Sequence, residues 1–172
     1  MISSGPFMPQ PQPVIDGFEF ASAGESLQGL WPIRDFPRLH DMLAAHEGDV
    51  AYEVDGVRDD HGRPGLRVRA QALLQLRCQR CLEALAFEVR ADELLVLAAT
   101  QAEIDAEPPG VHSADRVVGA KEMAVRDLIE DELILALPYA PRHESCSARA
   151  SQDGAEKTSP FAGLRGLMRG KH

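Results

Sequence analysis

The longest regular pattern in the chain alternates apolar and polar residues between positions 66 and 78. The apolar residues share one parity and the polar residues, mainly arginine and glutamine, share the other, with Leu73 as the exception. A period of two is typical of a β-strand with one face on the core. A second alternating stretch begins at Leu85 after a short connection. Two such strands so close in sequence predict an antiparallel hairpin over 66–78 and 84–97.

Shorter patterns predict the elements around this hairpin. They indicate strands over 14–20 and 50–55, helices over 36–46 and 121–137, and an acidic loop over 100–115. Asp35 is a candidate cap for the first helix, and Pro138 stops the second.

These elements predict an α+β fold, an antiparallel sheet centred on the long hairpin and covered by one or two helices, with flexible N- and C-terminal tails. Residues 1–13 contain four prolines and predict a flexible leader. Residues 14–143 form the single α+β domain. Residues 144–172 are expected to be a mobile tail with a short terminal helix, because Ser159-Pro160 is typical of a helix start.

The size and composition of the chain exclude several classes of protein. Its 172 residues suffice for one domain with a buried core. Three cysteines do not make a disulfide framework. No apolar run approaches the roughly 20 residues that span a bilayer, and the N-terminus has neither the basic nor the apolar region of a secretory signal. We therefore expect a cytoplasmic protein without a membrane partner.

The three cysteines fall into two short motifs that suit a metal. Cys78 and Cys81 are spaced so that two thiolates can converge on one ion from a tight turn, and His143 and Cys146 offer two further ligands. Together these four residues, the Cys/His quartet, predict one structural zinc ion. The residues alone leave two alternatives open, thiol redox chemistry and ordinary turn cysteines. A redox pair of the thioredoxin type opens a helix, whereas this pair follows a strand.

The polar face of the first hairpin strand is the best candidate for a nucleic-acid contact. The chain has a net charge of −9, but residues 58–90 carry +3, and no acid occurs between Arg63 and Arg80. Local asymmetry of this kind signals a partner. Side chains on one strand face repeat every 6.5–7 Å or so, close to the spacing of backbone phosphates. We predict phosphate contacts from four residues, named here the hairpin arginines: Arg67, Arg69, Arg77 and Arg80.

No catalytic set is recognisable in the sequence. Glycine-rich phosphate loops, nucleophile elbows and paired metal-binding histidines on a helix are all missing. The acidic run Glu130, Asp131 and Glu132 points in different directions on a helix, so it is expected to be a solvated face. These observations favour a protein that is not an enzyme.

Several of these segments, in order, resemble the YceD-like family, the bacterial large ribosomal RNA subunit accumulation proteins with relatives in plant organelles. The resemblance covers about residues 60–169. Its segments are Cys78-Gln79-Arg80-Cys81, the run Asp127 to Pro138, Pro141-Arg142-His143 with Cys146, and Ser159-Pro160-Phe161-Ala162 with Leu164.

The resemblance implies a non-enzymatic ribosome-biogenesis factor needed for synthesis, processing or stability of large-subunit (23S-type) ribosomal RNA. The expected partner is that RNA or its precursor. The resemblance implies no catalytic residue in this chain. The alternative is a protein-interaction adaptor, in which acidic faces and the segment with Phe161, Leu164 and Leu167 bind a ribosomal protein or an assembly factor.

Overall fold

The computed structural model describes residues 12–106 and 114–146, which form an α+β structure dominated by one sheet. The strands are β1 (Val14–Ile15), β2 (Ser26–Pro32), β3 (Leu43–Ala45), β4 (Asp49–Arg58), β5 (Pro64–Arg77), β6 (Ala84–Ala98), β7 (Asp115–Val118) and β8 (Met123–Ala124). The helices are α1 (Gly17–Ala23), α2 (Gln101–Ala106) and α3 (Val125–Ala136). Two 3₁₀ segments, Ile33–Asp35 and Pro37–Met42, precede β3.

The main sheet is built around the long hairpin of β5 and β6, as the alternating pattern predicts. Its strand order is β2-β4-β5-β6-β7, and β3 pairs with the part of β5 beyond the end of β4. All these pairs are antiparallel except β6 with β7, which is parallel. A second small sheet joins β1 to β8. The predicted antiparallel sheet is therefore confirmed, with one parallel strand at its edge.

The core lies on the face of the sheet that carries the even-numbered residues of β5. Leu66, Val68, Leu74 and Leu76 are fully buried there. Helix α3 packs on β5 and β6, and α1 packs on β4 and β5. None of the described helices is long and apolar enough to cross a membrane.

The predicted helix over 36–46 is wrong. The segment forms a 3₁₀ helix, Pro37–Met42, followed by strand β3. Phe36, Leu39 and Met42 recur every three residues and pack in or against the core, which suits the three residues per turn of a 3₁₀ helix. Asp35 does not cap it, because Phe36 occupies the cap position without a side-chain hydrogen bond.

The predicted strand over 14–20 is wrong beyond Ile15. Asp16 ends strand β1 and caps α1, its carboxylate accepting hydrogen bonds from the backbone N–H groups of Phe18 and Glu19, both at 3.1 Å. An Asp followed by Glu three residues later is itself a sequence signal for a helix start. The capping signal therefore outweighs the apolar alternation in this segment, and the chain forms a helix after Asp16.

The C-terminal part of the domain contains more regular structure than the sequence predicts. The segment expected to be an acidic loop, 100–115, holds α2, and β7 begins at its last residue. The predicted helix 121–137 begins only at Val125, because Met123 and Ala124 pair with β1. The predicted leader falls almost wholly outside the described residues, as do the tail from 147 onwards and its terminal helix.

Candidate metal centre and arginine face

The turn between β5 and β6 holds Cys78 and Cys81 in one rigid geometry. The backbone N–H of Cys78 donates to the carbonyl of Glu83 at 2.9 Å, and the N–H of Leu82 donates to the carbonyl of Cys78 at 2.9 Å. Leu82 adopts a left-handed φ of 64°, which lets the chain reverse within this short connection. The turn therefore fixes where both sulfur atoms lie.

The segment after α3 brings the other half of the quartet to this turn. Pro138 follows the helix, and the chain then passes the hairpin, where the N–H of Gln79 donates to the carbonyl of Pro141 at 2.8 Å. The Nε2 atom of His143 lies 3.0 Å from the carbonyl oxygen of Ala84, which directs Nδ1 towards the sulfur of Cys81, 3.4 Å away. Cys146 completes the group.

The four donor atoms of the quartet lie close enough for one ion. All are within 4.8 Å of one another, and the sulfurs of Cys78 and Cys146 are 3.8 Å apart. Two sulfurs bound at 2.3 Å to a tetrahedral zinc ion are separated by about 3.8 Å, and a sulfur and a nitrogen by about 3.5 Å. The Cys78–Cys146 and Cys81–His143 separations match these two values. The sulfurs are far beyond the roughly 2.05 Å of a disulfide, and all three cysteines are free.

The surroundings of Cys78 favour the thiolate that a metal requires. Backbone N–H groups of Cys81 and Arg80 donate towards its sulfur and lower the pKa of Cys78 to about 5, although the residue is buried. Burial and the neighbouring sulfurs of Cys78 and Cys81 raise the pKa of Cys146. Thiols packed so closely do not all ionise unless a cation binds them. The contact between His143 and the Ala84 carbonyl orients the imidazole, as is typical of histidines that bind a metal.

The hairpin arginines divide into two pairs with different surroundings. Arg67 donates to both carboxylate oxygens of Asp92, at 2.7 and 3.0 Å. Arg69 forms ion pairs with Glu53 and with Asp55, the latter at 2.9 Å. These hydrogen bonds raise the pKa of both guanidinium groups, Asp92 having the largest effect on Arg67 and Glu53 on Arg69. The acid-free stretch of sequence is thus balanced by acids from the adjacent strands.

The other two hairpin arginines lie beside the quartet and have no carboxylate partner among residues 12–106 and 114–146. Arg77 makes one long contact, 3.4 Å, to the carbonyl oxygen of Leu43. Arg80 is exposed, and its guanidinium forms neither a hydrogen bond nor an ion pair within the described part of the chain. Arg142, which is not among the arginines predicted to contact RNA, lies in the same region, next to His143. It too is exposed and unpaired among the described residues.

The acidic run on α3 is not the solvated face that the sequence predicts. Only Asp131 is exposed, whereas Glu130 and Glu132 are 1% and 5% exposed. Glu130 accepts hydrogen bonds from the backbone N–H and the Nε of Arg38, at 2.7 and 2.9 Å. The helical period places Glu130 and Glu132 at opposite edges of the buried stripe of α3, and nothing in the local sequence indicates that Arg38 would meet one of them.

Comparison with known proteins identifies the family of the chain. The model of the YceD family, described as large ribosomal RNA subunit accumulation protein, matches residues 66–168, more than half of the chain. No solved structure matches. The matched region contains the hairpin, the quartet and α3, and the family description connects it with accumulation of large-subunit ribosomal RNA. The chain therefore belongs to the YceD family of large ribosomal RNA subunit accumulation proteins.

Proposed function

We propose that the protein is a non-enzymatic ribosome-biogenesis factor of the cytoplasm that supports synthesis, processing or stability of large-subunit (23S-type) ribosomal RNA. The family match over residues 66–168 carries this proposal. The protein acts by binding the RNA, its precursor or the pre-ribosome. The hairpin lies within the matched region and supplies the arginines for that contact.

The RNA contact is made by the hairpin arginines. Arg77 and Arg80 support this most directly, because no carboxylate occupies their guanidinium groups in the described part of the chain. Phosphate oxygens accept hydrogen bonds from guanidinium in the same forked geometry as carboxylates. Arg67 and Arg69 contribute only where a phosphate displaces Asp92, Glu53 or Asp55, so their share of the binding free energy is smaller.

The Cys/His quartet binds one structural zinc ion. The match between its donor separations and those of a tetrahedral S₃N site supports this assignment. The ion links the hairpin turn to the segment after α3 and so holds Arg80 and Arg142 on one rigid surface. Purified under reducing, chelator-free conditions, the protein should contain close to one zinc per chain. Cys146→Ser should lose the zinc and Ser145→Ala should retain it, whereas zinc-free wild-type protein would refute the assignment.

Binding to an in-vitro transcript of the large-subunit RNA precursor tests the RNA contact. We expect the double variant Arg77→Gln/Arg80→Gln to bind more weakly and to lose about one unit of the logarithmic salt slope for each phosphate contact. Arg58→Gln is the matched control, because Arg58 is also exposed but lies at the end of β4 and donates to the Gly62 carbonyl. Equal affinities and salt slopes for a variant lacking the hairpin arginines would contradict direct binding.

The alternative function is that of a protein-interaction adaptor for a ribosomal protein or an assembly factor, with indirect effects on the RNA. The pairing of Arg67 and Arg69 with carboxylates favours this alternative, because it leaves the middle of the arginine face close to neutral. Crosslinking in cells separates the two functions. RNA crosslinks within 63–80 support direct binding, and protein crosslinks within 160–169 support the adaptor.

A further inference from the structure

Helix α3 carries a largely buried glutamate, Glu132, whose carboxylate keeps some contact with solvent but has no partner among the described residues. Glu132 is 5% exposed, yet it accepts no hydrogen bond and forms no ion pair in the described part of the chain. Glu130, two residues earlier, is equally buried and receives both a backbone N–H and a guanidinium from Arg38. An unpaired buried charge destabilises a folded protein. The presence of Glu132 is therefore not explained by stability.

Two further acids lie on the same side of the sheet as Glu132. In the strand register, Glu93 pairs with Val68, and Asp115 pairs with Leu95. Val68 and Leu95 are buried on the face that α3 covers, so the paired acids project from that face as well. Both are exposed and occupy positions where the alternation would place an apolar residue. Glu93 and Asp115 thus lie on the same side of the sheet as Glu132 and close enough for their charges to act on it, and these three acids are named here the acidic recess.

The negative charges of the acidic recess repel one another and are not balanced by an ion pair within the described residues. Burial, followed by repulsion from Glu93, Asp115 and the neighbouring Asp131, raises the pKa of Glu132 to about 7. No described arginine or lysine forms an ion pair with any of the three recess acids. A positive group from outside would relieve both the repulsion and the missing hydrogen bonds.

The chemistry of the recess selects one kind of ligand. Within the described chain, the Cys/His quartet is the one group of three or more ligand residues close enough to hold a metal ion, so the three recess carboxylates do not converge on one ion. Nucleic acid is repelled by the negative charge. A guanidinium or ammonium group on a flexible side chain can reach between separated carboxylates. We propose that the acidic recess receives an arginine or lysine side chain from a basic segment of a partner protein.

This inference goes beyond RNA binding and does not depend on it. The recess is formed by β6, β7 and α3, whereas the two arginines that contribute most to the proposed RNA contact, Arg77 and Arg80, lie at the β5–β6 turn. A protein with both surfaces joins RNA to a basic polypeptide. Loss of one contact should leave the other intact, so the two proposals can fail separately.

Binding of a labelled octa-arginine peptide to the full chain, measured by fluorescence anisotropy at fixed ionic strength, tests the recess. We expect Glu132→Gln and Glu93→Gln each to weaken binding by about tenfold or more, the size of a charge-assisted hydrogen bond. Glu47→Gln is the control, since Glu47 is exposed, carries the same charge and lies before β4. It should change affinity by less than about twofold, as expected for an exposed charge.

Chemical-shift mapping of the same titration locates the contact. The largest shifts are expected at the backbone amides of Glu93, Asp115 and the second half of α3. Equal affinity of Glu132→Gln, Glu47→Gln and wild type overturns the proposal, as does a set of shifts confined to other acidic surfaces. RNA affinity measured on Glu132→Gln should equal that of wild type, which keeps this test separate from that of the hairpin arginines.

Discussion

Replacing Glu132 with glutamine removes the charge of a buried carboxyl group while preserving its size, and we expect the variant to be more stable than wild type above neutral pH. The side chain is 5% exposed and has no partner in the described chain. Its ionised form is opposed by burial and by the charges of Glu93 and Asp115. Protonated glutamic acid and glutamine are both neutral, so the gain in stability should disappear at acidic pH.

The size of the effect follows from the displaced pKa of Glu132. The folded protein raises that pKa from 4.5 to about 7, so it holds the proton more tightly than the unfolded chain does. Stability from this group is therefore fully present below the unfolded pKa and is lost as pH rises through the folded one. Between pH 5 and pH 8 the loss amounts to about 2.5 kcal/mol of unfolding free energy. Glutamine at this position avoids that loss.

Urea unfolding of both proteins at several pH values measures this difference. The unfolding free energy of Glu132→Gln minus that of wild type should grow by about 2.5 kcal/mol from pH 5 to pH 8. Proton-linked changes at the Cys/His quartet affect both proteins equally and cancel in the difference. Glu47→Gln should give a flat profile, because Glu47 is exposed. A difference that stays constant with pH would refute the assignment of an ionisable, unpaired Glu132.

Three further changes test the packing of the domain and its metal centre. Arg38→Met should lower the unfolding free energy by about 2 kcal/mol, because the buried carboxylate of Glu130 loses its guanidinium partner. Arg38→Lys should lose less stability, because lysine keeps the positive charge. Gly56→Ala should cost about 1–3 kcal/mol, since a Cβ there would overlap the Phe20 carbonyl oxygen and lie 2.9 Å from the Cα of Ala21. Unchanged urea midpoints would contradict either contact. Chelation should lower the melting temperature of wild type but not that of Cys146→Ser. Added zinc should restore the melting temperature of the chelated wild type. Equal melting temperatures with and without chelator would exclude a metal contribution to stability.

The hairpin could be predicted from the sequence because its determinants are local. Six apolar residues at period two, from Leu66 to Leu76, define the core face of β5, and the short connection after Arg77 leaves only an antiparallel return. The same register, counted outward from the turn, places Asp92 opposite Arg69 and next to Arg67. The carboxylate that neutralises part of the arginine face was therefore accessible to sequence reasoning once the hairpin was assigned.

Other features depend on contacts that the sequence does not encode locally. Glu53 and Asp55 reach Arg69 only because β4 pairs with β5 in one particular register across an intervening loop. β4 ends before the last residues of β5, and β3 pairs with this remaining part of the β5 edge. This tertiary contact outweighs the helix preference of the local sequence. The quartet was predicted from spacing within each half, and the two halves meet because the chain after α3 returns to the hairpin turn.

The positions of the charges make the proposed RNA contact compatible with a net charge of −9. Along β6, Glu93 lies nine residues from Ala84 at the hairpin turn, a separation of about 30 Å. The Debye length at physiological ionic strength is only about 8 Å, so the acidic recess hardly affects a phosphate near Arg80. Asp92, Glu53 and Asp55 do act locally, on Arg67 and Arg69. In the proposed RNA contact, the contribution of each hairpin arginine should therefore increase towards the turn, where Arg77 and Arg80 have no carboxylate partner in the described part of the chain.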